Sequence, residues 1–143
     1  MIDTCSAKLA QNRIRPTETR QVILAILHAA VSPLSPPDIV TRCHAAGRRA
    51  NKTTIYRDLV RMEGVGVVRK VIVSDRKQYF ELTERGHHHH FVCTSCEKIH
   101  DVDLEEDAVL KRAKQIGKKS GFMISSHALE FFGRCADCLI VAA

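Results

Sequence analysis

Near the middle of the chain, the run "GHHHHFVCTSC" from Gly86 to Cys96 holds four consecutive histidines and a Cys-x-x-Cys pair. A second pair, Cys135 and Cys138, follows Cys96 after 38 intervening residues. A Cys-x-x-Cys knuckle sets two thiolates about one turn apart and aims them at one point. Two knuckles together complete a tetrahedral shell of four sulfurs, which suits zinc and leaves no open position. The spacing therefore predicts a structural zinc ion (Zn2+) held by Cys93, Cys96, Cys135 and Cys138, so that metal binding becomes folding free energy. The alternatives are a redox Cys-x-x-Cys, or buried cysteines acting as small apolar side chains. Two such pairs in so short a segment favour zinc. Cys5 and Cys43 lack a partner at ligand spacing and read as ordinary residues.

The histidines are a separate question. In an extended segment leading into Cys93, successive side chains point to opposite faces. His88 and His90 then share one face while His87 and His89 share the other, so one run can serve two sites. The alternative is an exposed polar tract with no specific metal. A purification tag is a poor explanation, because the run is internal and abuts a knuckle. Glu81 and Asp101 are oxygen donors on either side of it. Mixed imidazole and carboxylate sets suit Fe(II), Mn(II), Ni(II) or Zn(II), and they can leave positions open or exchangeable.

These donors need elements to position them. In "PTETRQVILAILHAA", Val22, Ile23, Ile26 and Leu27 fall on one helical face, with Thr17 as N-cap. "SPLSPPDIVTRCHAAG" reads as a helix capped by Ser35, with Pro36 and Pro37 in its first turn and Gly47 at its end. "ANKTTIYRDLVRMEGVGVV" predicts another, from Asn51 or Lys52 to Gly64, and an earlier helix spans about residues 3–12. After Gly66 the period becomes two: "VVRKVIVSDRKQYFEL" is β-branched and alternating on both sides of a polar turn at Ser74–Lys77. Helices followed by a hairpin make a winged helix-turn-helix. Its candidate recognition helix carries Lys52, Thr53, Thr54, Tyr56, Arg57 and Arg61, with Arg15 grouped beside them. Such side chains suit phosphates and base edges in the major groove of double-stranded DNA. The alternative is a solvated helix face, with Ile55, Leu59 and Val60 packed inward. Further on, "LEEDAVLKRAKQIGKKSG" is an amphipathic helix, and "FMISSHALEFFGRC" alternates as a strand carrying His127 back towards the second knuckle. A helix packed on a small sheet with an apolar face to spare would suit a homodimer.

Composition agrees with this division. Residues 1–80 carry 14 Lys+Arg against 6 Asp+Glu, a balance of +8, whereas residues 81–143 carry 8 against 10, a balance of −2. Such asymmetry points to a polyanion partner for the first part. The longest early apolar run, Val22–Leu27, is far too short to span a bilayer, and "MIDTCSAKLAQNRIR" has no signal-peptide core. The expectation is a soluble cytoplasmic protein with no membrane partner, in whose reducing surroundings cysteines serve as metal ligands.

Together these residues resemble the ferric uptake regulator family over nearly the whole chain. "TTIYRDL" resembles the family's recognition-helix signature, and "YFEL", "HHHHFVCTSC", "SSHALEFFGRC" and "CADC" follow in the family's order and spacing. The fold implied is α/β (α+β): an N-terminal winged helix-turn-helix domain and a C-terminal αβ dimerisation domain with a four-cysteine zinc site. The resemblance implies a homodimeric, metal-dependent repressor of A/T-rich palindromic operators, with no small-molecule substrate. It matches Cys93, Cys96, Cys135 and Cys138 to the structural zinc site. Glu81, His88, His90 and Asp101 match a regulatory site for Fe2+ or another divalent metal. His87, His89 and His127 match an accessory site. The chain departs from the family pattern at three places. Pro33 stands where a further regulatory histidine is frequent, Leu110 where the accessory carboxylate is expected (Glu105 and Glu106 lie about a turn earlier), and His89 where many iron-sensing members carry Asp.

The expected organisation is a DNA-binding domain at 1–82, a hinge "TERG" at 83–86 and a dimerisation and metal-binding domain at 87–143. One ion held by Glu81 and by donors beyond the hinge would favour a closed arrangement with the recognition helices at operator spacing. Two rival classes are a metalloenzyme with a water-activating His/carboxylate site and a zinc-ribbon module that senses no metal. No acid/base residue with a clear role lies beside the ligands, and a basic winged helix is unexplained by an enzyme. A non-enzymatic regulator is therefore expected. Within the family, iron is favoured for the regulatory site, with zinc, manganese, nickel and peroxide sensing as alternatives. The lack of a cysteine across residues 81–90 argues against a thiolate-selected zinc sensor.

Overall fold

The computed structural model describes residues 2–74 and 77–141, which divide into two compact units, one up to Gly86 and the other from His87 on. The first unit comprises α1 (Ile2–Gln11), α2 (Glu18–Ala29), α3 (Pro36–Ala45), α4 (Lys52–Gly64), β1 (Val68–Ser74), β2 (Lys77–Leu82) and a 3-10 turn at Thr83–Arg85. Its helices begin where the sequence supplies caps. The Thr17 hydroxyl accepts from the Arg20 N–H, Ser35 forms a reciprocal capping box with Asp38, and Asn51 Oδ1 accepts from the Thr54 N–H at 2.8 Å. Each cap satisfies a backbone donor that a helix start leaves unpaired.

β1 and β2 pair antiparallel, with Val68 opposite Leu82 and Arg69 opposite Glu81. Leu34 adds a short third edge, exchanging backbone hydrogen bonds with Phe80 at 2.9 and 2.8 Å. Three helices and this hairpin are the winged helix-turn-helix. Of the turn expected at Ser74–Lys77, Asp75 and Arg76 lie outside the described residues. The core gathers Ile23, Leu24, Leu27, Ile39, Ile55, Leu59, Met62 and Phe80, with Cys5 and Cys43 among them. Burial pushes the Cys5 thiol up to about 11, with the Glu84 carboxylate adding to the effect, so it packs as a neutral, apolar group.

One expectation for α4 fails. Val60 is 42% exposed, and Met62 takes the inward position instead. At 3.6 residues per turn, Ile55, Leu59 and Met62 share a side, whereas Val60 is turned about 100° from Leu59.

The second unit comprises β3 (His89–Cys93), β4 (Ile99–Val102), α5 (Glu106–Ser120), β5 (Glu130–Gly133) and α6 (Ala136–Val141). The sheet order is β4-β3-β5, antiparallel between β3 and β4 and parallel between β3 and β5. At Gly117 a Cβ would meet the Phe122 carbonyl at 2.8 Å, so glycine is what lets the chain fold back over the end of α5. Two expectations need correction. The alternating stretch from Phe122 becomes a strand only at Glu130, because residues 122–129 find no strand partner among the described residues. Alternation fits a strand, but ladder hydrogen bonds make one. Nor does α5 pack extensively on the sheet: Leu110 and Ile116 stay 39% and 46% exposed. Phe122, Met123 and Phe132 are exposed as well. No described helix is long and apolar enough to cross a membrane.

Candidate metal centres and nucleic-acid interface

The two knuckles meet because β3 and β5 run in parallel with Cys93 opposite Gly133, which delivers Cys135 beside the end of β3. α6 then carries Cys138 into the same cluster. The four sulfurs lie within 4.8 Å of one another, with Cys96 Sγ and Cys135 Sγ 3.7 Å apart. All four are free thiols. The N–H groups of Cys135 and Cys96 donate to Cys93 Sγ at 3.3 and 3.5 Å and draw its pKa down to about 5. Cys138, hydrogen-bonded to Cys135 and Cys96, is pushed up to about 12. The cage thus contains a ready thiolate and a neighbour that resists ionising without a cation to offset the charge. Zinc fits such a donor set, since a coordinated thiol gives up its proton.

The histidine run divides as alternation requires. On one face, the ligand nitrogens of His87, His89 and His127 lie within 4.8 Å of one another, and His87 Nε2 is 2.9 Å from His127 Nε2. His89 is buried, and its Nδ1 is 3.2 Å from the Leu129 carbonyl, a contact that requires Nδ1 to donate. That tautomer leaves Nε2 with a lone pair, and this buried atom has no hydrogen-bond partner. An orphaned imidazole nitrogen facing two other histidines fits a cation.

On the other face, His88 Nε2 lies 3.0 Å from His90 Nε2, and Asp101 Oδ1 lies 3.8 and 3.9 Å from those same atoms. Asp101 arrives there because the β3–β4 register sets it opposite His90. A cavity of about 330 Å³ opens beside the run, lined by His87, His88 and His89 together with Asp101–Leu104. Glu130, a residue the sequence reading passed over, stands opposite His90 on β5. It is half-buried, and burial raises its carboxyl pKa against the opposing pull of His90.

Glu81 belongs to the first unit, where its side chain is 1% exposed. Arg69 Nε donates to Oε1 at 2.6 Å and Arg85 Nη1 to Oε2 at 3.1 Å. Arg85 was findable from its position four residues after Glu81. Arg69 becomes a partner only through the hairpin register.

On α4, Lys52, Thr53, Thr54, Tyr56, Arg57 and Arg61 are all exposed, while Ile55, Asp58, Leu59 and Met62 are buried. Thr53, Arg57 and Arg61 succeed one another at four-residue steps along one stripe, away from the core. The Tyr56 hydroxyl donates to Gln78 Oε1 on β2 at 3.1 Å, and its ring stands edge-on to Phe80. The phenol therefore braces the helix against the wing. Arg15 is exposed just before α2, and its carbonyl accepts from the Arg20 guanidinium. Arg20 Nε and Nη2 also donate to Asp58 Oδ1, at 3.0 and 2.8 Å, in a pair buried between α2 and α4. The signal for this pair was Asp58 itself, a charge on the inward side of an otherwise apolar stripe.

The chain matches the model of the ferric uptake regulator family over residues 11–132. The ferric uptake regulation protein of Escherichia coli K12 is 30% identical over 104 residues, 73% of this chain and 69% of that protein. Among solved structures, the Helicobacter pylori ferric uptake regulator, which reveals three functional metal binding sites, aligns with a TM-score of 0.83 at 20% identity, covering 97% of this chain and 94% of that one. The Campylobacter jejuni peroxide stress regulator aligns with a TM-score of 0.72 at 21% identity, covering 91% and 96%. At these identities the structural likeness is one of fold.

Proposed function

Since the chain belongs to the ferric uptake regulator family, whose members are metal-dependent DNA-binding regulators of transcription and not enzymes, we propose that it is a dimeric repressor whose operator affinity is set by a divalent metal, Fe(II) by preference. The observation that carries this reading is the convergence of His88, His90 and Asp101 on one face of β3 and β4, in a chain that also carries a basic winged helix. Glu81 joins those three as regulatory ligand, Cys93, Cys96, Cys135 and Cys138 hold structural zinc, and His87, His89 and His127 take an accessory ion. The proposed hinge between the two domains is the segment Thr83–Gly86, in which Gly86 has φ of 78°. When bound, the regulatory ion supplies positive charge that holds donors from both domains together. It acts only through its differential affinity for the two arrangements, typically about 1–3 kcal/mol of coupling. Pro33 is buried and has no donor, so the lock is expected to exchange its ion readily.

In the proposed complex, two copies present their α4 helices to successive major-groove segments of an A/T-rich palindrome. Arg15, Lys52, Thr53, Thr54, Tyr56, Arg57 and Arg61 make the contacts. Lys52→Ala removes one flexible point charge at the helix start. It should weaken binding about equally on all duplexes and reduce the salt slope by about 1. An unchanged slope would place Lys52 outside the interface.

The reading is tested by fluorescence anisotropy on a palindromic A/T-rich duplex at fixed salt. Protein retaining structural zinc is titrated anaerobically with Fe(II), Mn(II), Zn(II) and Ni(II). A tightening of about tenfold with one metal supports the hinge site, being within the usual range of coupling. Equal affinity with every metal and with chelator would make the protein a constitutive DNA binder. The double variant His88→Ala/His90→Ala should keep the fold and the basal affinity but lose the metal response. A retained response in that variant would move the regulatory site elsewhere.

A further inference from the structure

Glu81 is the regulatory ligand proposed on the DNA-binding side, and both of its oxygens are engaged by guanidinium groups of its own unit. The same arginines reach further. Arg69 Nη2 donates to the Gly86 carbonyl at 2.7 Å, and Arg85 Nη2 to the Val31 carbonyl at 3.1 Å. Through these two arginines, one carboxylate ties together the wing, the Thr83–Arg85 turn and the loop entering α3. On this basis, and resting on the reading of Glu81 as a metal ligand, we propose that Arg69 and Arg85 are internal competitors of the regulatory metal: they clasp Glu81 when the ion is absent and set the concentration at which the ion can claim it.

The physics favours competition over mere support. A carboxylate has two oxygens, and a guanidinium bound to each leaves a cation no oxygen that it would not share with a positive group. A divalent ion approaching Glu81 must share or displace at least one guanidinium, and it meets two like charges while doing so. Arg69 and Arg85 are partly exposed, at 29% and 23% of their side chains, so a released guanidinium can swing into water. The buried Glu81 carboxylate has no such freedom, which is why it needs a positive partner in either state. Loss of the ion exchanges one set of cations on Glu81 for another.

The test uses full-length protein with its structural zinc and Co(II) as probe, followed by d–d absorption, which reports coordination independently of DNA binding. Arg69→Gln and Arg85→Gln should each tighten Co(II) binding by about tenfold, the low end of what a close charge pair contributes. Arg85→Lys, which keeps the charge, should change it much less. In a Glu81→Gln background, the arginine substitutions should have no effect. Melting curves identify a variant that fails to fold, and the other Arg→Gln variant then carries the comparison with the wild type. Unchanged Co(II) affinity in both Arg→Gln variants overturns the competition, while loss of binding in His88→Ala leaves the hinge site standing. If His88→Ala also binds Co(II) as the wild type does, the regulatory site and the competition both fall.

Discussion

Replacing Cys93 with Ser should unfold the second unit. Cys93 receives the N–H groups of both Cys96 and Cys135 and is the ready thiolate of the four-sulfur cluster. A serine hydroxyl keeps the shape of the side chain but is a poor zinc donor. The three remaining cysteines no longer complete a four-sulfur shell. The unit has little else to hold it. Its sheet has three short strands, α5 packs on it sparingly, and most of its large apolar side chains stand at the surface. Structural zinc contributes about 10–16 kcal/mol of apparent binding free energy, comparable to or above the whole stability of an ordinary domain. The measurement is zinc content together with hydrogen exchange. The expected result is loss of zinc, fast exchange across residues 89–102 and 130–141, and near-native protection in the first unit. A zinc-free variant with a protected β3 would refute the structural role.

The next largest effect is expected at Asp58. Its carboxylate takes two hydrogen bonds from Arg20, and both side chains are under 10% exposed. Asp58→Ala leaves a buried guanidinium with only the Arg15 carbonyl for company. Breaking one side of a buried pair typically costs about 3–5 kcal/mol, because the stranded charge has lost its water and gained nothing in return. Urea denaturation should show that loss as a lower midpoint with an unchanged slope. Replacing both partners, as in Arg20→Met with Asp58→Leu, should restore most of it, since matched apolar groups carry no such penalty. Equal losses in the single and double variants would mean that packing, not charge, makes this contact. Because Arg20 also holds the Arg15 carbonyl, the single variant is expected to loosen the start of α2 along with the pose of α4.

The features legible in the sequence share one property: each depends on residues close together along the chain. Caps at Thr17, Ser35 and Asn51 act over three residues. The two-faced histidine run follows from the period of an extended backbone, and each knuckle from a two-residue gap. The error at Val60 shows the limit of even local reasoning, since an apolar residue one step off the stripe faces solvent whatever its type.

The partners of Glu81 and Asp58 were of another kind. Arg69 meets Glu81 because the hairpin pairs in one register and not its neighbour. Arg20 meets Asp58 across 38 residues, because burying Ile23, Leu27, Ile55 and Leu59 together brings α2 against α4. The strand expected from Phe122 formed only from Glu130, where β3 offered backbone partners. By itself the sequence determined which donors exist, how they divide between faces and where the helices begin, because short-range geometry has few solutions. Only the tertiary structure decided which charges neutralise which, because that depends on the register and packing by which distant segments leave water together.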